Sequence, residues 1–348
     1  MDRVLFLAHT EPDGRLGRTA LEALTAARVL ARVEEHAALV VGVVGPGAET
    51  AAAALGMSGA TKGFVVTGDA FAQPRYATDA AAAEAICRAS DATLIVAPAT
   101  SRWMRALPGV AFRVGARIDT HVTAVALPDD GVVSVRRWFY RQRIEATVER
   151  ATRPWMLLLD PGCHAAWAGR PGALAVEALT VPVPEPVRRT TVAGIVTPAA
   201  GQDTIRPDAP LLFVAGAGWT KKQADGFVHR EEAERLILDF LKMTQASLGG
   251  SKSLVDLSGE GQAVLGFMTH LHQIGQTGST PRHQKGLATC CHGEEPHAVG
   301  WRFVKERRAV NLDPNCGWAR GRADVVYVGD AFDVMAKVNA RLAALRRA

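Results

Sequence analysis

The residues best able to do chemistry crowd into one stretch, QIGQTGSTPRHQKGLATCCHGEEPH (Gln273–His297). It holds four glycines, two adjacent cysteines and many polar groups, with almost no large apolar side chain. In QIGQTG, two carboxamides and a hydroxyl stand among glycines that permit tight backbone paths. Such groups can donate to the ring heteroatoms of a planar ligand without adding charge. GLATCCHGEEPH reads as a short strand ending in a turn, and NLDPNCG (Asn311–Gly317) follows at a second strand end. Ligands of open α/β sheets bind outside the carboxyl ends of strands, so these segments can converge on one crevice.

Two glycine-rich segments extend the pattern. VAGAGW (Val214–Trp219) is a strand followed by closely spaced glycines, where a phosphate could approach the backbone. It lacks the third glycine of the dinucleotide fingerprint, and a plain tight turn accounts for it equally well. GGSKS (Gly249–Ser253) sets a serine hydroxyl and a lysine behind two glycines, which suits a pyrophosphate, although the spacing is not that of a P-loop. Cys290, Cys291, His292, His297 and Cys316 are soft donors, but adjacent cysteines do not make the spaced clip of a structural zinc site, and no metal is expected. Buried, inert thiols are the simpler reading. Asp256, Glu260, Glu294 and Glu295 form no evident acid/base pair, and neither a nucleophile elbow nor an HExxH motif occurs.

The elements that must position these groups alternate between strand and helix. VLFLAH (Val4–His9), ALVVGVVG (Ala38–Gly45), GFVVTG and TLIVAPAT (Thr93–Thr100) are continuous apolar runs separated by alanine-rich helical segments. That alternation predicts a parallel sheet covered on both faces. THVTAVAL, VVSVRRWFYR, IEATVER and PWMLLLD then read as consecutive strands with short turns, an antiparallel addition to the sheet. VPVPEPVRRTT cannot supply a full ladder of amide donors and is expected to be extended. A second α/β unit starts at PLLFVAGAGW, with EEAERLILDFLKMTQAS as its amphipathic helix. The expected organisation is an N-terminal α/β domain over 1–185, a proline-rich linker over 186–209 and a second α/β domain over 210–348. Both domains are read as doubly wound and Rossmann-like, the first with added antiparallel strands.

The 348 residues are about twice the length typical of one domain. With 48% hydrophobic and 22% charged residues, the chain has the balance of a globular protein. No run approaches the roughly 18 apolar residues of a membrane span. The N-terminus enters a strand-like run almost at once, so a cytoplasmic protein without a leader is expected. Five cysteines do not form a disulfide framework. Lysine and arginine number 40 against 35 acids, a formal charge of +5. Arg136, Arg137, Arg141 and Arg143 cluster around Trp138, Phe139 and Tyr140, and a second cluster holds Arg302, Lys305, Arg307 and Arg308. A solvated face is the first reading of each, a dock for an acidic partner or phosphate-bearing ligand the second. No nucleic-acid partner is indicated.

Taken together, VAGAGW, GGSK, QIGQTGS, CCHGEEPH, VNLDPNCGW and VGD resemble the VSGGRG, GASR, QVGQTGK, GISGAIQH, INKDPEAPIF and GD of the electron-transfer flavoprotein α subunit family. Thr277 to His297 runs without a gap against that pattern. LIVAPATSRWMRALPGVA and DTHVTAV are similar to the family's N-terminal segments, so the resemblance covers nearly the whole chain. It implies FAD in the C-terminal domain, with the N-terminal domain contacting a β subunit that holds AMP. It also implies electrons passing from a soluble donor dehydrogenase to a quinone oxidoreductase or similar acceptor, with no catalytic residues of the chain's own. By the same resemblance, Thr277 offers its hydroxyl near the flavin, with Gln273, Ile274, Gly275 and Gln276 shaping the loop. His297 sits by the pyrimidine carbonyl, preceded by His292, Gly293, Glu294, Glu295 and Pro296. Ser251 meets the pyrophosphate, and Asn311 and Asp330 hold the ribityl–adenosine part. Three departures stand out. Lys252 replaces an arginine beside the flavin, Gly218 replaces the arginine of VSGGRG, and His292–Pro296 adds carboxylates where neutral groups are usual. About eight extra residues also lie between Ser251 and Gln273. Two other readings are a metal-dependent enzyme using Cys290, Cys291, His292 and Cys316, and a non-redox module binding an adenine nucleotide.

Overall fold

A computed structural model of the protein describes residues 2–33, 39–140, 144–185, 189–194, 205–206, 209–256, 265–275, 280–289, 303–314 and 323–346. Internal contacts divide the chain into two compact units, Met1–Val196 and Thr197–Ala348. Each is a layered α/β structure built on its own sheet.

In the first unit, β1 (Val4–His9), β2 (Leu39–Val44), β3 (Ala60–Val66) and β4 (Leu94–Pro98) are the expected apolar runs. They alternate with α1 (Arg18–Leu30), α2 (Ala48–Ala53), α3 (Asp69–Ala72) and α4 (Tyr76–Ser90), and α5 (Ser101–Arg113) follows β4. The chain continues through β5 (Arg117–Ala126), β6 (Ser134–Phe139), β7 (Ile144–Glu149), β8 (Trp155–Leu159) and β9 (Val176–Ala178). Among the described residues these form a nine-stranded sheet in the order β7-β6-β5-β8-β4-β1-β2-β3-β9. The apolar strand faces pack under the helices in two clusters, one around Phe6, Leu24 and Trp155, the other around Ile86, Trp103 and Leu158.

The structure corrects the reading of PWMLLLD. Only the β5–β6 and β6–β7 pairings are antiparallel. β8 inserts between β4 and β5 and runs parallel to both. Its five residues are all buried, and a run with no polar alternation belongs in the covered centre of a sheet, not in a ribbon with one wet face. β9, which lies parallel to β3 at the edge, was not anticipated, being only three residues long and largely exposed.

Of the first arginine cluster, Arg137 is spent inside the unit. Asp119 on β5 has a fully buried side chain. It accepts from Arg137 on β6, from Arg150 after β7 (Nη2 at 3.0 Å), and from the Trp155 indole of β8 at 2.8 Å. Arg136 faces Glu145 across the β6–β7 ladder at 3.6 Å. Burial alone would raise the Asp119 carboxyl, but hydrogen bonds from Arg150, Trp155 and Arg137 overcome it and hold the group below its ordinary value. One buried carboxylate thus ties the antiparallel ribbon to the parallel core. Arg141 and Arg143 lie outside the described residues.

The strand order reverses between β1 and β4, the point where α/β sheets usually take ligands. Here that point is filled. The His9 ring lies edge-on to Trp103, with centroids 5.5 Å apart, and its Nε2 is 2.9 Å from Thr100 Oγ1. Burial pushes the imidazole down to about 4.

The second unit holds β10 (Leu212–Ala215), β11 (Ser247–Gly250), β12 (His283–Thr289), β13 (Val304–Asn311) and β14 (Val325–Val328). All pairings are parallel, in the order β11-β10-β12-β13-β14. α6 (Arg230–Thr244), the short α7 (Lys252–Asp256) and α8 (Ala331–Leu345) complete it. Their core gathers Phe213, Trp219, Ile237, Leu254 and Met335. The chain runs from β10 through α6 to β11 on one side, then returns to β12 on the other, so the switch point lies between β10 and β12.

Two outcomes follow. Asp119→Asn leaves two arginines facing a neutral group and is expected to lower the unit's unfolding free energy by about 3 kcal/mol, read by chemical denaturation. His9 binds its proton more weakly folded than unfolded, so stability is retained above its ordinary value of 6.5 and lost as pH falls from there towards 4. His9→Gln flattens that slope in melts recorded across this window.

Candidate functional site

The carboxyl ends of the second sheet bring together most of the described candidates. Ser251 follows β11 directly, and its amide donates to the Ala215 carbonyl of β10 at 2.9 Å. Its hydroxyl accepts from the Leu254 amide at 3.2 Å, capping α7 and leaving the O–H to donate. Lys252 opens α7 and is exposed. Beside them, the Ile274 amide donates to the Gly250 carbonyl at 3.1 Å, and Gln273 pairs with Gly250 as an isolated parallel bridge. The QIG segment is therefore stitched to the edge of β11.

Packing fixes this segment further. Ile274 is buried with Leu212, Ala288 and Phe303. A Cβ added to Gly249 would meet Ile274 Cδ1 at 2.6 Å, so the glycine makes the close approach possible. Gly275 adopts a φ of 81°, a conformation that favours glycine, and its amide donates to the buried Thr280 hydroxyl at 2.8 Å. Gly275 and Thr280 are thus held together across residues 276–279, Gln276 and Thr277 among them, which lie outside the described residues. Thr280 was not singled out from the sequence, although a hydroxyl one residue before a proline at a turn end is a signal for it.

On the other side of the switch point, Asn311 ends β13 with its side chain fully buried. Its Nδ2 donates to the Asp313 carbonyl at 2.9 Å, while Oδ1 has no hydrogen-bond partner among the described residues. A buried acceptor without a donor is costly, and it suits a hydroxyl or amine supplied by a ligand. Its carbonyl accepts from the Gly329 amide at 3.0 Å, next to Asp330. Asp330 caps α8, accepting from the Phe332 amide at 2.7 Å. Gly218 lies buried in a 3₁₀ turn, Ala217–Thr220, and its carbonyl accepts from Gln223 Nε2 at 3.1 Å. No helix opens directly at this glycine turn, since α6 begins only at Arg230.

His292, Gly293, Glu294, Glu295, Pro296 and His297 lie outside the described residues, as do Cys290, Cys291 and Cys316. Among the described residues no three His, Cys, Asp or Glu side chains converge to hold a metal. No described helix is long and apolar enough to cross a membrane. The described groups are a hydroxyl donor, an ammonium, an orphan carboxamide oxygen and a loop pinned at both ends. They line strand ends on both sides of the β10–β12 boundary, an arrangement suited to an elongated, hydroxylated and phosphate-bearing ligand.

This two-sheet α/β architecture agrees with what sequence comparison finds. The electron transfer flavoprotein domain model matches residues 4–186, which span the first sheet from β1 to β9, and the chain belongs to that family. Its relatives include the electron transfer flavoprotein subunit alpha of Mycobacterium leprae, 29% identical over 96% of this chain and 95% of that protein. The mitochondrial electron transfer flavoprotein subunit alpha of Oryza sativa subsp. indica is 26% identical over 91% of this chain and 84% of its own. The electron transfer flavoprotein subunit alpha of Pseudomonas aeruginosa is 24% identical over 69% of this chain and 70% of its own. The chain is a diverged member of the α-subunit branch, and neither the metal-enzyme nor the non-redox nucleotide reading gains support.

Gly249→Ala forces Ile274 away from β11 and is expected to destabilise the second unit by about 1–3 kcal/mol. Faster hydrogen exchange of the Ile274 amide, which Gly250 now protects, is the measurement.

Proposed function

We propose that the chain is the flavin-bearing subunit of an electron carrier, holding FAD at the strand ends of its second unit. The first unit pairs with a β subunit that holds AMP. Family membership supports the carrier role, and the observation that carries the cofactor is the orphaned, fully buried Oδ1 of Asn311. The residues present fit such a group. Asn311 accepts from a sugar or ribityl hydroxyl, with Asp330 beside it. Ser251 donates to the pyrophosphate, and the Lys252 ammonium offsets anionic charge. Gly218 and the Gln273–Gln276 segment form the walls. Thr277 and His297 offer donors to the ring heteroatoms, with His292–Pro296 leading up to His297.

Bound FAD supplies one- and two-electron transfer, and the protein tunes its potential. The chain's own part is to orient the ring and to set the local charge. Its electron donor is a soluble dehydrogenase and its acceptor a quinone oxidoreductase or similar protein, in the cytoplasm. Domain roles follow the expected boundaries, with 1–185 for subunit contact, 186–209 as connection and 210–348 for the cofactor.

Absorption of the complex purified with its co-expressed partner is the direct test. The two visible flavin bands are expected at one FAD per heterodimer, and a colourless complex overturns the reading. Thr277→Ala keeps FAD bound but shifts the two-electron potential by on the order of 20 mV, the equivalent of about 1 kcal/mol for one hydrogen bond. Lys252→Ala moves the potential negative, because a cation that favours the reduced, more anionic ring is removed. Spectroelectrochemical titration reads both.

A further inference from the structure

The chain entering β10 is joined to the turn before β12 through a buried imidazole. His283, the first residue of β12, is 1% exposed. Its Nε2 lies 2.7 Å from the Arg206 carbonyl oxygen, and its Nδ1 lies 3.1 Å from that of Pro281. A carbonyl oxygen only accepts, so each contact takes an N–H, and the doubly protonated ring serves both. Both partners are themselves held. Arg206 donates its amide to Ser247 Oγ at 2.8 Å, and its guanidinium to the Gln245 and Ala246 carbonyls at 3.0 and 3.2 Å. Pro281 follows Thr280, whose hydroxyl receives the Gly275 amide at 2.8 Å. Ile205, next to Arg206, is buried in the apolar cluster that also holds Ile274. The pair Ile205–Arg206 thus reaches both flanks of residues 276–279, one through this cluster and the other through His283.

We propose that His283 is a positioning residue that fixes the second anchor of the Gln273–Thr280 segment by tying it to the chain before β10. The edge of β11 holds one end of that segment, at Gln273 and Ile274, and His283 holds the other. Removing the ring takes this donor from two carbonyls at once, at Arg206 and at Pro281, so the anchor loosens locally while the sheet ladders stay in place. This inference rests on the flavin reading of the same strand ends, in which the segment flanks the ring. It adds the chain before β10 to the elements that set the ring's surroundings.

The test is hydrogen exchange on the complex purified with its co-expressed partner, unmodified and carrying His283→Ala. The Gly275 amide, which Thr280 protects, is expected to exchange about tenfold faster in the variant, while amides of β10 such as that of Phe213 keep their rates. His283→Gln, whose amide nitrogen stands about where Nε2 does and keeps the Arg206 contact alone, gives an intermediate rate. That variant decides the matter if circular dichroism shows the alanine variant unfolded. In the flavin-loaded complex, His283→Ala is expected to move the two-electron potential by about 30 mV, a tenfold change in that equilibrium. An unchanged Gly275 rate, an acceleration spread evenly over the second unit, or an unmoved potential each overturns the proposal. A colourless unmodified complex overturns the flavin reading alone, because the exchange comparison stands without the cofactor.

Discussion

A parallel strand covered by helices on both faces cannot show either face to water, and this constraint governs the inner strands of the sheets, whereas the edge strand β14 stays largely exposed. The strands β1, β4, β8 and β10 are filled mostly by Val, Leu, Ile, Phe, Ala, Met and Trp, so polar work is pushed to the strand ends. Ser251, Thr289, Asn311 and Asp330 all sit one step beyond, or at, the last residue of a strand or the first turn of a helix. Their positions follow from backbone ladders, which fix strand ends far more tightly than a free loop could be fixed. The second unit then adds one segment that is not a strand, Gln273–Gly275, and borrows the edge of β11 to hold it.

Charge follows a similar economy. The arginines that crowd β6 look like a docking face in sequence, yet Arg137 and Arg150 converge on one buried aspartate. Two cations and one indole N–H around a single carboxylate leave a local excess of positive charge, which partial exposure of Arg150 allows water to screen. The arrangement joins β5 and the parallel β8 to the antiparallel β6 at one point. In the second unit, Arg307 is likewise taken up by Asp324, through its backbone amide at 2.7 Å and its guanidinium at 2.9 Å.

Much of this was legible in the residues. Apolar run length and alanine-rich helices predicted β1 to β4 and the second α/β unit, because buried parallel strands have a composition of their own. β8 was placed in the right segment but the wrong direction, since direction depends on where a strand inserts, and local sequence carries no such information. β9 has only three residues and is largely exposed, too short for a run-length signal, and its place at the sheet edge is decided by β3. At the site, QIG and the residues after β11 and β13 were legible as loop chemistry. The hydrogen bond from Trp219 to Thr289 was not, because it joins residues far apart in sequence.

The clasp between Gly275 and Thr280 has one more consequence. Both ends of the turn are anchored by contacts that do not involve its tip: Ile274 reaches into the apolar cluster, and the Thr280 hydroxyl closes the loop. Substitutions between the two anchors can change side-chain chemistry while both anchors keep their contacts. Close homologues of this chain can therefore differ between the two anchors yet superpose closely at Ile274 and Thr280.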